Sequence, residues 1–160
     1  MKLDRYDHAI LHALQNNGRI SNSELAKSIS LSESATLRRV RALEKGGLIE
    51  GYVGVLNQAA AGLPGNVFVS ITLQRQEQAD LQAFEEAVRK VPSVMECYLM
   101  TGEYDYLLRV VVADATDFEH IHSRVLTGLP NVARVHSSFA LRIVKKSWEL
   151  PVQELASTRE

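Results

Sequence analysis

The chain has 160 residues, 46% of them hydrophobic and 23% charged, which excludes general disorder. A chain of this size buries roughly 70% of the surface that its unfolded form exposes, so it needs no disulfide or metal to hold a core, and its single cysteine excludes an intramolecular disulfide. The sequence shows neither a membrane-spanning apolar run nor a signal-peptide pattern, which predicts a cytoplasmic protein.

Charge is unevenly divided along the chain. Residues 1–50 hold eight Lys and Arg against six Asp and Glu, whereas residues 51–160 hold ten against thirteen. This asymmetry is typical of a nucleic-acid-binding part joined to an acidic part, although chance also explains two such small net charges.

The first 50 residues predict three short helices. Asp4 is placed to cap the first helix, and Gly18 to end it. Ser21 and Glu24 form a capping-box pattern at the start of the second helix, and Ser32 is placed to cap the third. The apolar residues of the third helix that we expect to face inward are Leu37, Val40 and Leu43.

After residue 48 the pattern changes to strands alternating with helices. One helix is closed by Pro92, and another is capped at 116–119 and closed by Pro130. The order β-α-β-β-α-β is that of a ferredoxin-like sandwich, so the fold class is α+β. The predicted strands are 48–57, 66–74, 94–100, 104–113 and 132–145.

The helices of such a sandwich cover one face of its sheet. The other face is also expected to be apolar, which predicts self-association through that face. The predicted organisation is a helical domain over 1–50, a linker strand and loop over 51–65, a sandwich domain over 66–146 and a tail over 147–160.

The second and third helices, joined by three turn residues, have the dimensions of a helix-turn-helix, whose second helix enters the DNA major groove. Three arginines lie within one turn of that helix, and guanidinium groups bind phosphates or the O6 and N7 atoms of guanine. A solvated charged surface is the alternative, but caps, turn length and apolar stripe all agree with DNA binding. The candidate DNA-facing residues are Ser32, Ser34, Ala35, Thr36, Arg38, Arg39 and Arg41.

The sequence predicts neither a metal site nor a catalytic centre, and no cofactor. His120 and His122 are two residues apart on a helix and point away from each other, while His8 and His12 share a face without a third ligand near them in sequence. Cys97 lies within an apolar strand, so we expect it to be a small core residue.

The hairpin at residues 100–106 (MTGEYDY) suits a bound zwitterionic amino acid. Gly102 allows a tight turn with exposed amides, Thr101 adds a hydroxyl, and Glu103 and Asp105 provide acceptors for an ammonium group. Met100 and Tyr98 provide an apolar wall. The same residues also suit an ordinary hairpin, and the pattern alone favours neither interpretation.

The chain strongly resembles the Lrp/AsnC family of transcription regulators over nearly its whole length. The matching segments are Leu3-Asp4-x-x-Asp7, Ile10-Leu11-x-x-Leu14-Gln15, Asn17-Gly18-Arg19-Ile20-Ser21, Glu24-Leu25-Ala26, Leu31-Ser32, Arg39-Val40-x-x-Leu43-Glu44, Gly47-Leu48-Ile49-x-Gly51-Tyr52, Gly102-x-Tyr104-Asp105 and Leu129-Pro130-x-Val132. Segments 94–102, 105–110 and 137–141 resemble the branch that includes the regulator of branched-chain keto-acid dehydrogenase operons.

The resemblance implies an N-terminal helix-turn-helix that binds double-stranded DNA and a C-terminal domain that senses amino acids. It also implies dimers that assemble into octamers or similar rings. The family's effector pocket falls on residues 100–105, including Tyr104, and by strand adjacency on Ser137 and Ser138. The apolar residues near this pocket favour a leucine, methionine or branched-chain effector.

Two alternatives remain at this stage. Siroheme decarboxylases are similar to this family in both domains, but a tetrapyrrole carrying carboxylates requires Arg and His around a large cavity, and the arginines of this chain concentrate in the third helix. The C-terminal domain could also serve assembly alone, without an effector.

Overall fold

The computed structural model describes residues 3–152, which divide into two compact units. One unit combines the chain up to Val55 with the segment from Val144 onward, and the other is Leu56–Ile143. The first unit is therefore built from both ends of the chain. Of the predicted tail, residues 153–160 lie outside the described part. No helix within residues 3–152 is both long and apolar enough to cross a membrane.

The three predicted helices of the first unit form, each beginning at the predicted cap. Asp4 accepts hydrogen bonds from the amides of Tyr6 and Asp7, and Ser21 and Glu24 make the expected capping box. The Ser32 hydroxyl accepts from an amide in the first turn of the third helix at 3.3 Å. The helices are α1 (Arg5–Asn16), α2 (Asn22–Ser28) and α3 (Glu33–Lys45).

The apolar core of this unit corrects the predicted orientation of α3. Leu37, which was expected to face inward, is 39% exposed, whereas Thr36 is fully buried. Burial of Thr36 is possible because its hydroxyl donates to the carbonyl of Ser32 at 3.0 Å, which leaves no unpaired polar group. The core cluster consists of Ile10, Leu11, Leu25 and Leu43, with Val40 packed against it.

The C-terminal segment packs on α1. The Gln15 side chain accepts a hydrogen bond from the Leu150 amide at 2.6 Å and donates one to the Leu150 carbonyl at 3.3 Å. Glu149 contacts His12 at 2.8 Å, and Val152 packs against the apolar core. Residues 147–152 therefore complete the helical unit and are not a free tail.

The prediction of a strand at 48–57 is wrong for the single chain. Residues 51–57 have no regular secondary structure. An extended segment becomes a strand only when another strand pairs with its backbone groups, and this segment pairs with none in the described part of the chain.

The second unit has the predicted β-α-β-β-α-β order. Its antiparallel sheet has the strand order β2-β3-β1-β4, so β2 and β4 are the edges. The elements are β1 (Gly65–Leu73), α4 (Gln78–Val88), β2 (Val94–Leu99), β3 (Tyr106–Val112), α5 (Ala115–Arg124), a short 3-10 helix (Leu126–Gly128) and β4 (Val132–Phe139).

Two predicted boundaries move for physical reasons. Strand β4 ends at Phe139 instead of residue 145 because its partner β1 begins at Gly65, and Phe139 already pairs with Val67. Helix α5 begins at Ala115 because Asp114, and not the predicted 116–119 segment, accepts the capping hydrogen bond.

One face of the sheet forms the core. Alternate residues of β1 and β3 point to the side on which α4 and α5 pack, and the Phe84 and Tyr106 rings lie 4.5 Å apart there. These central side chains are fully buried: Val67, Val69, Ile71, Leu108 and Val110.

The opposite face is less apolar than predicted. Arg109 lies near its centre, where its guanidinium contacts Glu96 at 2.7 Å and the Asn66 side chain at 3.1 Å. Phe68 and Tyr98 are exposed on this face, and Ser70 and His136 pair across β1 and β4. The face therefore combines a polar network with apolar patches.

The close pairing at the start of β1 gives a test of the fold. A Cβ atom on Gly65 would lie 2.5 Å from Val112 Cγ2 and 3.1 Å from the Val112 carbonyl oxygen. We expect Gly65→Ala to lower the free energy of unfolding by about 1–3 kcal/mol in urea titrations, because β1 and β3 must separate to admit the methyl group.

The matched control is Gly54→Ala, since no described atom outside the adjacent residues lies within 4 Å of a Cβ at that position. We expect that variant to stay within about 0.5 kcal/mol of the wild type. Equal stabilities of the two variants would contradict the register of β1 against β3.

Candidate nucleic-acid interface and effector site

The exposed face of α3 carries the predicted cations. Ser34, Arg38 and Arg41 lie on one helix face because they are three or four residues apart, and all three are exposed. Lys45 extends the same face by one turn, and sequence reasoning did not include it. Within the described residues, Arg38, Arg41 and Lys45 have no hydrogen bond or ion pair, so their charges are available to a ligand. Ser32 and the half-buried Ala35 lie at the start of the helix.

Two residues predicted to face DNA make contacts within the helical unit instead. Thr36 is fully buried, so it cannot reach a ligand on the exposed face. Arg39 turns away from Arg38 and Arg41 and contacts α1. Its Nη1 atom lies 2.9 Å from Asp4 Oδ2 and 2.8 Å from Asp7 Oδ1, and its guanidinium lies over the Tyr6 ring.

Arg39 joins the third helix to the beginning of the first. The Asp7 amide, and then the Arg39 guanidinium, hold the pKa of Asp4 below its ordinary value. Asp7 is almost fully buried and also accepts a hydrogen bond from the Asp4 amide. Arg39 is therefore a positioning residue that fixes α3 against α1, and it presents Arg38 and Arg41 to solvent.

The candidate effector hairpin is held by Asp105. The Asp105 carboxylate accepts hydrogen bonds from the Leu73 amide at 2.7 Å and from the Gln76 side chain at 2.6 Å, and its own amide donates to the Ile71 carbonyl. Both carboxylate oxygens are thus engaged within the chain. Asp105 therefore holds the hairpin against the end of β1. This structural role takes the place of the predicted role in binding an ammonium group.

Beyond this brace the tip of the hairpin projects into solvent. Gly102 has a φ of +124°, which side chains other than glycine rarely adopt. Thr101, Gly102 and Glu103 are exposed, and within the described residues their amides donate no hydrogen bond. The tip therefore offers free donors and one free carboxylate, that of Glu103. Tyr104 is half-buried beside it.

The apolar wall predicted beside the hairpin is partly present. Tyr98 is exposed on β2, and its hydroxyl donates to Glu96 at 3.0 Å. This hydrogen bond raises the pKa of the Tyr98 hydroxyl. Met100 is half-buried, and its amide donates to the Asp105 carbonyl, which closes the hairpin.

The strand adjacency expected for Ser137 and Ser138 does not hold within one chain. They lie on β4, and both β1 and β3 separate that strand from β2. Successive side chains of a strand also point to opposite faces, so the two hydroxyls cannot line one pocket together. Ser137 pairs with Val69 on the core side, and its hydroxyl is buried without a hydrogen-bond partner among the described residues.

The described residues offer no chemistry for a metal or a reactive thiol. No group of three or more His, Cys, Asp or Glu side chains within residues 3–152 is arranged to hold a metal ion. Burial, followed by the nearby Glu85 carboxylate, raises the pKa of Cys97 to about 11. Its thiol is therefore protonated at neutral pH, in agreement with a core role.

Both parts of the chain match known protein families. Residues 3–50 match the winged helix-turn-helix DNA-binding pattern, and residues 66–150 match the Lrp/AsnC ligand binding domain. The chain belongs to the Lrp/AsnC family. It is 43% identical to the Bkd operon transcriptional regulator of Pseudomonas aeruginosa over 89% of this chain and 94% of that protein. It is 39% identical to the leucine-responsive regulatory protein of Escherichia coli over 94% of this chain and 92% of that protein.

Solved structures agree with this assignment. A transcriptional regulator from Neisseria meningitidis in complex with L-Met matches with a TM-score of 0.91 and 35% identity, over 96% of this chain and 99% of that one. An AsnC family regulator from Agrobacterium tumefaciens matches with a TM-score of 0.90 and 34% identity, over the same shares.

These relatives confirm the expected family, its branch and its two-domain fold. The chain is a DNA-binding transcriptional regulator with a ligand-binding domain, and it is not an enzyme. The decarboxylase alternative is therefore set aside. Sequence reasoning missed Gln76, which braces Asp105. It also missed Arg109 on the open face, which the pairing of β2 with β3 could have revealed.

The ion pairs of Arg39 predict that its replacement destabilises the protein more than replacement of Arg38 does. We expect Arg39→Ala to lower the melting temperature by roughly 2–4 °C, because Asp7 loses its cation while it remains buried. The part of this difference in melting temperature that comes from Asp4 should be present above pH 3.8, the ordinary pKa of its carboxyl group. It should decline as the pH falls through the lower pKa that Asp4 has in the folded protein. Thermal unfolding followed by circular dichroism measures both effects.

Arg38→Ala is the matched control, because Arg38 has no partner in the described chain. Its melting temperature should stay within about 1 °C of the wild type. If Arg38→Ala destabilises the protein as much as Arg39→Ala, the assignment of Arg39 as the anchor is wrong.

Proposed function

We propose that this regulator binds specific DNA sites through α3 and that a free apolar amino acid changes its assembly or its DNA affinity. The observation that carries the DNA part is the unpartnered row of cations on α3. We propose that it acts in the cytoplasm, as the binding of chromosomal DNA requires in its bacterial relatives. The proposed DNA-contacting residues are Ser32, Ser34, Ala35, Arg38, Arg41 and Lys45.

The tip of the hairpin is the proposed effector site. The free amides at Thr101, Gly102 and Glu103 suit an α-carboxylate, and the Glu103 side chain suits an α-ammonium group. Tyr98 and Met100 supply apolar surface, which favours leucine, methionine, isoleucine or valine over charged side chains. A leucine-responsive relative and a relative solved with L-Met support this chemistry.

Because the tip projects from the chain, we propose that a second subunit completes the site. Ser138, which is exposed on the open face of the sheet, would then contribute from a neighbouring subunit, whereas the buried hydroxyl of Ser137 would not. A ligand held between subunits stabilises the assembled state, because it binds that state more tightly than the separated one. The proposed assembly is a homodimer that forms octamers or similar rings.

Exposed apolar residues support this association. They lie within residues 52–56 and 139–150. Single exposed apolar side chains are ordinary, whereas several of them close together mark an interaction surface. Leu141 is fully exposed. The other members are Tyr52, Val53, Val55, Leu56, Phe139, Ile143, Val144, Trp148 and Leu150.

Replacement of the α3 arginines tests DNA binding. We expect Arg38→Ala and Arg41→Ala each to weaken binding to a selected site by roughly 5- to 150-fold where a base contact is lost. Where only a phosphate contact is lost, the salt dependence should become shallower instead. Fluorescence anisotropy over a series of salt concentrations distinguishes these results, and a bound dimer should require half-sites about 10 base pairs apart or a multiple of that spacing.

Arg124→Ala is the control for charge alone, because Arg124 is an exposed arginine at the end of α5 without a partner in the described chain. We expect it to bind DNA as the wild type does. Equal losses for Arg38→Ala, Arg41→Ala and Arg124→Ala would indicate nonspecific attraction. Unchanged binding of an Arg38→Ala, Arg41→Ala double variant would refute the proposed interface.

A thermal-shift screen of the twenty amino acids tests the effector site. A ligand present at about 100 times its Kd adds about 2.7 kcal/mol to the stability of the native state, so the true effector should raise the melting temperature by several degrees. We expect Glu103→Gln to weaken that ligand roughly tenfold or more, because the ammonium group loses a charged acceptor. Light scattering with and without the ligand measures the change in assembly.

Glu86→Gln is the matched control, because Glu86 is exposed on α4 in the same unit, away from the hairpin in sequence. That variant should respond as the wild type does. If none of the twenty amino acids stabilises the wild-type protein at millimolar concentration, the second domain is better described as an assembly module without an effector.

A further inference from the structure

Leu37 is an apolar residue placed among the free cations of α3. It is 39% exposed and does not join the apolar cluster of its unit. Ser34 precedes it by three residues and Arg41 follows it by four, so all three side chains lie on one stripe of the helix. Arg38 is its neighbour along the chain.

Leu37 is not one of the inward-facing positions of α3. The residue that faces the core in that turn is Thr36, and the next inward positions are Val40 and Leu43. Leu37 lies at the edge of the cationic stripe, beside Arg38 and Arg41 and one turn after Glu33, so its exposed apolar surface borders groups that favour a polyanion. The apolar group that DNA displays in its major groove, beside the guanine atoms that arginines bind, is the C5 methyl group of thymine.

We infer that Leu37 is a specificity-determining residue that contacts a thymine methyl group in each half-site. This inference rests on the proposed function of α3 and adds a base preference to it. Arg38 and Arg41 supply charge and hydrogen bonds beside that contact, while Leu37 distinguishes thymine from cytosine by the apolar surface that only thymine offers.

Uracil substitution tests the contact directly. Uracil has the same hydrogen-bonding groups as thymine and lacks only the methyl group. A site is first selected by the full-length protein from random DNA, and each thymine is then replaced in turn by uracil. We expect one position in each half-site to lose affinity about fourfold, and replacement in both half-sites to cost about fifteenfold, as the loss of one buried methyl group from each implies.

The same DNA series is then measured with Leu37→Ala. We expect this variant to bind the thymine site several-fold more weakly than the wild type and to be indifferent to uracil at the sensitive position. Its melting temperature and its mass by light scattering should stay close to the wild type, because Leu37 is exposed and is not one of the buried residues of either core.

Leu48→Ala is the matched control, because Leu48 is a leucine of similar exposure, 45%, that lies beyond the end of α3. It should keep the full penalty for uracil. The inference fails if Leu37→Ala keeps the uracil penalty, if no thymine position is sensitive, or if Leu37→Ala changes the mass of the assembly. Absence of any site-specific binding by the wild type would instead refute the proposed function of α3.

Discussion

The ion pairs of Arg39 with Asp4 and Asp7 determine what α3 can present. They connect the first turn of α1 to the middle of α3, and they are reinforced by the Tyr6 ring beneath the guanidinium. A helix held in this way has one rotational setting, in which Thr36 is buried and Leu37, Arg38 and Arg41 are exposed. The proposed DNA-contacting surface therefore depends on an arginine whose guanidinium is paired with carboxylates of α1.

In the second unit, Asp105 fixes the hairpin as Arg39 fixes α3 in the first. Its carboxylate is held by the Leu73 amide and the Gln76 side chain, so the base of the hairpin is fixed while the tip from Thr101 to Glu103 remains exposed. A rigid base lowers the cost of ordering the tip when a ligand binds. In each unit, one charged residue is held within the chain and positions its neighbours. Arg39 does this for Arg38 and Arg41, and Asp105 does it for the tip of the hairpin.

The order of elements could be predicted from the sequence because caps and apolar periodicity are local signals. Asp4, Ser21 and Ser32 each begin the helix that they were expected to begin. The rotation of α3 could not be predicted, because Leu37 and Thr36 exchange the positions that hydrophobicity alone assigns them. Only the contacts of Arg39 with α1, more than 30 residues away in sequence, and the hydroxyl bond of Thr36 decide between the two settings.

In the sheet as well, the strands could be predicted from local sequence, but their pairing could not. Alternation predicted the strands, but the pairing order β2-β3-β1-β4 depends on the whole unit, and it is this order that separates the serines of β4 from the hairpin. The length of β4 likewise depends on where β1 begins. The linker could not be judged from its own residues, because an extended segment becomes a strand only when a partner pairs with it.

The polarity of the open sheet face bears on how subunits associate. A face that carries Arg109 with Glu96 and Asn66 must meet polar partners when it is covered, because a buried charge without hydrogen bonds is costly. Closely spaced exposed apolar residues instead lie on the linker and on the segment after β4. The linker leaves the end of α3, and the segment after β4 leads to the residues that pack on α1. Under the proposed function, association centred on these two segments would act on both helices that position the exposed face of α3, and a ligand that changes assembly would thereby change how α3 meets DNA.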